Sequence, residues 1–330
     1  MKFSSVFTAN ANKNQNNFWI RLNKPIFGLA PMDGVTDMPM RQIQIKVKKP
    51  DILYTEFISI EGFVRNREAF ERKLSFDENE RPIIVQIFGY TPKDFYEAVL
   101  RIAQMGFDGI DINMGCPSKK ILRKGGGGAL IGNKKLAGKI IESCLKALSD
   151  SKTFLPLSVK TRIGKNKIIT KDWLSFLTSF PLAEITLHGR LLNQGIDGPV
   201  NWKEIQIGRE IVQNKGIIFL GNGGIKSIKE ARKISEMLQL DGVLIGRAAC
   251  GNPWVFKENY IPAKNEILDI ILDHAKLVND FYPPEKFITI LKHFSWYSKG
   301  FKGNKQLKLE LLKCKGLRET EKTIQKYREF

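Results

Sequence analysis

The chain has 330 residues, of which 42% are hydrophobic, 10% aromatic and 26% charged, so it can bury a large core and is not disordered throughout. Lys and Arg number 53 against 34 Asp and Glu, a formal net charge of +19. This excess favours a polyanionic partner such as nucleic acid, although a merely solvated basic surface gives the same composition. No run of 18 apolar residues occurs, so no transmembrane helix is predicted.

The first residues, Met1–Asn17, are rich in Asn, Ser and Lys, which is typical of a disordered leader. Eight short apolar runs follow and are predicted strands: Ile26–Ala30, Ile52–Thr55, Ile83–Phe88, Gly109–Asn113, Leu157–Thr161, Glu184–Leu187, Gly216–Leu220 and Gly242–Ile245. Predicted helices lie between them, among them Pro92–Met105, Lys134–Ser149, Asp172–Ser179, Trp202–Gln213 and Ser227–Leu238. Eight strand–helix repeats predict an α/β fold, a (β/α)8 TIM barrel over residues 18–256. A doubly wound sheet is the alternative, but no Gly-x-Gly-x-x-Gly follows the first strand.

After Phe256 the pattern becomes helical, and we expect a small helical domain over residues 257–330. One face of its first helix carries Ile267, Ile270, Ile271, His274, Ala275 and Val278. From Lys286 to Phe330 there are 12 Lys and Arg against 4 Asp and Glu. This surplus indicates a surface that binds nucleic acid, while a basic bundle that only packs on the barrel is the alternative.

The number and spacing of the cysteines predict that the protein is located in a reducing cytoplasm and that it has no structural zinc site. The chain has four cysteines, no Cys-x-x-Cys pair and three scattered histidines, so the spacing of a structural zinc site is lacking. Few unpaired cysteines are typical of cytoplasmic proteins.

Polar, glycine-flanked residues follow seven of the predicted strands. In a TIM barrel the carboxyl ends of the strands carry the active site. The segments at these ends are Ala30–Gly34, Gln86, Asn113–Pro117, Lys160–Arg162, His188–Arg190, Gly221–Gly224 and Gly246–Arg247. Core packing does not require this pattern, so we expect a functional site at this end of the barrel.

The last two of these segments predict a phosphate site. Gly221–Gly224 and Gly246 let backbone N–H groups approach a phosphate, and Arg247 adds a charged contact. Lys160 at a strand end needs an electron-rich partner, which the N1/C2 edge of a flavin provides. Gln86 offers a donor and an acceptor to the pyrimidine edge of the same ring. Together these residues predict FMN rather than a sugar phosphate.

Cys116 lies in a loop between Gly115 and Pro117. A buried core cysteine is the alternative, but this loop is not a packed helix face. A thiol with a pKa near 8.5 is mostly protonated at neutral pH, so it can act as a general acid as well as a nucleophile. Gly125–Gly128 follow and could let the loop move. For His188 we expect a ligand role, with a general base and a core histidine as alternatives.

Several motifs occur in order over about residues 25–256. They are Leu29–Asp37, Asp111–Pro117, Val159–Gly164, Leu187–Arg190, Gln194–Gly195, Asn201–Trp202, Gly221–Gly223, Ile245–Ala248 and Gly251–Trp254. Through them the sequence resembles the tRNA-dihydrouridine synthases, most closely the bacterial B-type enzymes. Lys292–Tyr297 also resembles part of the helical RNA-binding domain of that family.

The resemblance implies a TIM barrel that holds FMN, a helical domain that binds tRNA, and reduction of the C5–C6 double bond of selected uridines with NADPH. The uridine is expected in the D-loop region, and the protein is expected to be a monomer. The general acid falls on Cys116. Substrate binding falls on Asn113, Arg162, Lys292 and His293. FMN binding falls on Met32, Asp33, Gly34, Gln86, Lys160, His188, Asn222, Gly223, Gly224, Gly246 and Arg247.

Three departures from the family pattern stand out. Gly224 replaces a usual acidic residue, Leu191–Leu192 lack a usual Thr, and the leader is longer than expected. Two other functions stay open: an FMN barrel acting on a free pyrimidine or another small molecule, and a non-catalytic RNA-binding protein on a decayed barrel. Neither explains the barrel motifs and the basic C-terminal residues together.

Overall fold

The computed structural model describes residues 17–328, so the predicted leader lies outside the described residues except for Asn17. The strands within this range are β1 (Ile26–Leu29), β2 (Leu53–Tyr54), β3 (Ile58–Ser59), β4 (Ile83–Phe88), β5 (Gly109–Met114), β6 (Leu157–Arg162), β7 (Glu184–His188), β8 (Ile218–Asn222) and β9 (Gly242–Ile245). The helices up to the last strand are α1 (Met38–Lys48), α2 (Ile60–Arg65), α3 (Glu71–Leu74), α4 (Pro92–Ile102), α5 (Lys119–Arg123), α6 (Lys134–Asp150), α7 (Thr170–Leu177), α8 (Trp202–Val212) and α9 (Ile228–Met237). Those that follow it are α10 (Lys264–Phe281), α11 (Leu291–Tyr297), α12 (Asn304–Leu311) and α13 (Leu317–Arg328).

The strands form one parallel sheet in the order β1-β9-β8-β7-β6-β5-β4-β2. Strand β3 also pairs with β4, so β2 and β3 together occupy one strand position of the barrel, which we call a stave. The ends of the sheet meet where Gly28 bridges Ile52 and the N–H of Asp51 donates to the carbonyl oxygen of Phe27 at 2.9 Å. An eight-stave barrel with alternating helices results. The TIM-barrel prediction is therefore confirmed, and the open doubly wound sheet is wrong because these edges join.

Side chains alternate between the barrel interior and the layer under the helices, as expected for strands. Ile26, Leu220 and Leu244 belong to the inner core, together with Trp19 from a short 3-10 helix that precedes β1. An added Cβ on Gly28 would lie 2.5 Å from the side chain of Ile52, so this interior position has room only for glycine.

One predicted strand is shifted by two residues. Gly216 has φ +71 and belongs to the turn after α8, so β8 begins at Ile218 and includes Asn222. The turn chemistry of Gly216 overrides the apolar pattern that follows it.

The helices α10–α13 surround a second hydrophobic core, which contains Phe294, Leu307 and Ile324 and also takes in Ile43 of α1. The predicted apolar face of α10 is buried throughout. Tyr282 of this region donates a hydrogen bond of 3.0 Å to the carboxylate of Asp37. This bond joins the helices to the barrel beside the loop that follows β1. The boundary after residue 256 stays a prediction. Within residues 17–328, the helices lack the combination of length and apolarity needed to cross a bilayer.

Candidate active site

A cavity of about 400 Å³ opens at the carboxyl ends of the strands, and we call it the cationic cavity. Its described lining has no Asp or Glu. The predicted residues that line it are Met32, Lys160, Arg162, His188, Asn222, Gly223, Gly224, Gly246 and Arg247. Residues from five different staves of the barrel therefore converge here, as the strand-end pattern predicts.

Burial and mutual repulsion weaken the charged forms of the groups in this cavity. Burial and the Arg162 guanidinium lower the pKa of Lys160 to about 8, although Asp111 opposes this. Burial lowers the pKa of Arg162 to about 10. Burial and the surrounding cations, Lys160 foremost, hold the pKa of His188 far below its ordinary value, so its imidazole is neutral at physiological pH. Binding of an anion would therefore stabilise the charged forms of these groups.

The glycine-rich segment after β8 packs closely against His188 in the wall of the cavity. Gly223 has φ +130, and an added Cβ would lie 2.8 Å from the ring of His188. Gly224 has φ +67 and is exposed at the cavity surface. Lys226, just before the N-terminus of α9, adds another cation to the lining. These features suit a phosphate group.

Lys160 is held in place by the neighbouring strands. Its Nζ donates a hydrogen bond of 3.0 Å to Oδ1 of Asn222, whose Nδ2 donates to the carbonyl oxygen of Leu244 at 2.9 Å. Asn222 thereby ties the ammonium to the adjacent β9 and leaves the other N–H groups of Lys160 free for a ligand.

A smaller cavity of about 130 Å³ adjoins the first, and we call it the thiol cavity. Cys116, Asn113 and Gln86 line it, and Lys160, Arg162, His188 and Pro31 line both cavities. The structure therefore brings the predicted acid, the predicted substrate residues and the predicted flavin residues to one continuous space.

A chain of hydrogen bonds fixes the loop that carries Cys116. The carboxylate of Asp111 accepts from Ser158 at 2.8 Å and from Nε2 of Gln86 at 2.7 Å. Oε1 of Gln86 then accepts from Nδ2 of Asn113 at 2.9 Å. Oδ1 of Asn113 is left to accept from the backbone N–H groups of Gly115 and Cys116, at 3.1 and 2.9 Å. The carboxylate at one end and the N–H groups at the other fix the orientation of both amides.

Arg162 holds the same loop from its other side. Its Nε donates to the carbonyl oxygen of Gly115 at 2.7 Å, and one terminal nitrogen donates to Gly195 at 2.6 Å. The side chain of Cys116 is 9% exposed, and burial raises the pKa of its thiol. Cys116 is therefore protonated at neutral pH and available as a proton donor.

The glycines after Cys116 serve close packing. The N–H of Gly128 donates to the carbonyl oxygen of Cys116 at 3.1 Å, and an added Cβ on Gly127 would lie 3.2 Å from Cβ of Cys116. An added Cβ on Gly126 would lie 2.8 Å from the carbonyl oxygen of Gly89. Gly127 and Gly128 therefore pack against the loop that carries Cys116 and support it.

Four predicted site residues, Asp33, Gly34, Lys292 and His293, lie outside the two cavities. The carboxylate of Asp33 pairs with Lys73 at 2.6 Å and is turned away from the cationic cavity. Gly34 donates to Glu56 and accepts from Nζ of Lys292, which links the helical region to this loop. His293 is 2% exposed, in the core of the helical region. Its ring packs against those of His274 and Trp296, and its role in substrate binding stays a prediction.

The sequence reasoning assigned no role to Arg190, Asp111 or Ser158. Arg190 lines the cationic cavity and lies 3.2 Å from Nε2 of His188. Its place in His-Gly-Arg was a usable signal. Asp111 shares a face of β5 with Asn113, two residues away, so the period of a strand could have indicated it. Ser158 gave no comparable signal. Within the described residues no group of three or more His, Cys, Asp or Glu is placed to hold a metal.

Comparison with known proteins identifies the family to which this chain is related. The sequence profile of the dihydrouridine synthase (Dus) family matches residues 28–330. A probable tRNA-dihydrouridine synthase of Staphylococcus aureus (strain COL) is 32% identical over 323 residues, covering 95% of this chain and 96% of that one. The probable tRNA-dihydrouridine synthase 2 of Bacillus subtilis (strain 168) is 31% identical over 312 residues, covering 92% and 94%. A solved variant of NCR from Zymomonas mobilis covers 69% of this chain and 83% of its own, with 13% identity and a TM-score of 0.44. The family profile and the two relatives from Staphylococcus aureus and Bacillus subtilis show that the chain belongs to the dihydrouridine synthase family.

Proposed function

We propose that this protein reduces the C5–C6 double bond of selected uridines in tRNA to dihydrouridine, with FMN as cofactor and NADPH as reductant. The observation that carries the proposal is the junction of two cavities. One is cationic and has no carboxylate among the described residues that line it, and the other contains a protonated thiol. The relatives from Staphylococcus aureus and Bacillus subtilis are named as probable tRNA-dihydrouridine synthases, which supports tRNA as the substrate.

The donor set of the cationic cavity fits FMN. Gly223, Gly224, Gly246 and Arg247 would hold the phosphate, because glycine backbone and a guanidinium suit an anion. The residues that would hold the ring are Met32, Lys160, His188 and Asn222, together with Gln86 from the adjoining thiol cavity. A contact of Asp33 or Gly34 with FMN stays a prediction, because the Asp33 side chain pairs with Lys73 and the Gly34 backbone is bonded to Glu56 and Lys292. When bound, FMN supplies the hydride that uracil receives at C6.

The thiol cavity would receive the uracil base, which has to leave its stack in the tRNA to enter. Negative charge develops on C5 and the C4 carbonyl of uracil as C6 gains hydride. Cys116 would donate its proton to C5 and remove that charge. Asn113 and Arg162 would keep the Cys116 loop in place, and both also face the space for the base.

The charge of the helical region supports a role in tRNA binding. Its last 45 residues, Lys286–Phe330, carry 12 Lys and Arg against 4 Asp and Glu, and each phosphate contact releases counterions. We propose Lys292 as part of this surface, beside the barrel mouth. The D-loop position, the monomeric state and the cytoplasmic location stay predictions.

The test uses Cys116→Ala and Cys116→Ser, each with reduced FMN already bound. We expect dihydrouridine formation in tRNA to fall about 10²- to 10⁴-fold, the usual contribution of a positioned acid. Cys250→Ala is the matched control, because Cys250 lines neither cavity. A near wild-type rate in both Cys116 variants contradicts the assignment of the acid.

The same preparation separates the alternative functions. Activity on free uracil with none on tRNA favours a small-molecule oxidoreductase. Purified protein that is colourless and rejects added FMN favours a non-catalytic RNA-binding protein.

A further inference from the structure

A third cavity, of about 350 Å³, lies beside the thiol cavity, and we call it the aromatic–lysine cavity. Phe57 lines both of them, so the two spaces are neighbours. The proposed chemistry assigns no part to this cavity. Its volume lies at the lower end of the range of small-ligand sites, about 300–1,000 Å³, which suits a single nucleotide better than a dinucleotide.

The wall of the cavity is aromatic. Phe57, Phe70, Phe88 and Tyr90 line it, and each is only partly buried. Phe57 and Phe88 meet edge to face with ring centroids 5.3 Å apart. The backbone N–H of Tyr90 donates to the carboxylate of Glu61 at 2.6 Å, which fixes the turn that carries this ring. Partly exposed rings on a fixed backbone are a platform on which a base can stack.

The cations of the cavity divide into two kinds. Lys73 is already paired with Asp33 at 2.6 Å and lies 3.6 Å from Glu56. Lys120 and Lys124 are exposed, one helical turn apart, and make no ion pair with any residue in the described range. Two uncompensated ammonium groups beside an aromatic wall form the combination that binds single-stranded nucleic acid.

We propose that the aromatic–lysine cavity binds a nucleotide next to the target uridine, with its base against the aromatic wall and its phosphate at Lys120 and Lys124. This inference rests on the proposed function. Neighbouring nucleotides are covalently joined, so a strand whose uridine enters the thiol cavity has to place its neighbours at the mouth of that cavity. The aromatic–lysine cavity adjoins this mouth through Phe57.

The binding test uses the FMN-loaded protein and tRNA over a range of salt concentrations. We expect Lys120→Ala/Lys124→Ala to weaken binding at least fivefold and to lower the slope of log K against log salt by about 0.7 per lost phosphate contact. Lys135→Ala/Lys139→Ala is the matched control. It removes the same charge from two exposed lysines four residues apart on α6, which line none of the three cavities. We expect the control to bind like wild type.

Stacking is tested with two tRNAs that carry 2-aminopurine, one on the 5′ side and one on the 3′ side of the target uridine. We expect binding to wild type to quench one of the two probes, and Tyr90→Ala to restore most of its fluorescence. Flavin reduction by NADPH should stay within twofold of wild type in both the lysine and the Tyr90 variants.

Each contrary result has a distinct meaning. Unchanged RNA binding in the double lysine variant, or no quenching at either probe, overturns the proposal. Slower flavin reduction with unchanged RNA binding also overturns it and assigns the cavity to the reductant. If wild type forms no dihydrouridine while the lysine variant still loses RNA affinity, the proposed function fails and the nucleotide site stands.

Discussion

Replacement of Asn113 by alanine tests how the Cys116 loop is held. The Asn113 side chain makes three hydrogen bonds: it accepts from the N–H groups of Gly115 and Cys116 and donates to Gln86. The residue is 7% exposed. Asn113→Ala leaves two donors and one acceptor without a protein partner.

The size of the effect follows from these contacts. A buried polar group left unpaired costs about 1–3 kcal/mol. Because water can enter the thiol cavity and satisfy some of the three groups, we expect the free energy of unfolding to fall by about 2–4 kcal/mol. A displacement of about 1 Å at the thiol can lower the rate about 10²-fold, and we expect a loss of that size in dihydrouridine formation.

Thiol alkylation reports the loop directly. In wild type Cys116 is 9% exposed, and we expect iodoacetamide to modify it faster in Asn113→Ala. Cys144, which is fully buried, serves as the internal reference in peptide mass spectrometry. Asn113→Asp is the matched control for the loop, because its carboxylate still accepts from both N–H groups, although it replaces the donor to Gln86 by an acceptor and adds a buried charge. Wild-type alkylation and stability in Asn113→Ala, or equal alkylation in both variants, refutes the positioning argument.

Two further substitutions test the buried carboxyl group of Asp37 and the glycine-rich wall of the cationic cavity. Burial raises the pKa of Asp37 from 3.8 to about 6, so the folded state binds more protons in this window and stability falls as pH rises through it. Asp37→Asn does not titrate and can keep the bond to Tyr282. At 1.36 kcal/mol per pKa unit, urea unfolding at pH 8 should show it more stable by about 2–3 kcal/mol, an advantage that largely disappears near pH 4; no advantage at pH 8 contradicts the burial argument. For Gly223→Ala, whose added Cβ would lie 2.8 Å from His188, we expect at least tenfold weaker FMN binding in a fluorescence titration, whereas Gly216→Ala, also at positive φ but in open space, should bind FMN normally.

The barrel could be predicted because short apolar runs and helical segments alternate eight times, and few folds satisfy that pattern. The limits of single strands were less certain. Gly216 is followed by apolar residues, yet its φ of +71 places it in a turn, and β8 therefore begins at Ile218. Conformation at a glycine depends on the loop that the chain has to close, which an apolar pattern does not encode.

The site was predictable to the extent that strand ends converge in a barrel. Lys160 and Cys116 meet for that reason, although 44 positions separate them in the sequence. The direction of a side chain was not predictable. Asp33 follows β1 but turns to Lys73, which lies in α3, and His293 faces inward because of how α11 packs on α10. Such contacts join distant segments, so no local pattern reveals them.

The two joined cavities place opposing demands on the same cations. Lys160 and Arg162 suit an anion in the cationic cavity, yet both also favour the thiolate of Cys116 and so lower its pKa. Burial outweighs them, and the pKa of Cys116 is raised. An anion bound among the cations would reduce their pull on the thiol, and a base in the thiol cavity would bury it further. Both ligands therefore act in the same direction and keep the proton on Cys116 until the charge on uracil draws it away.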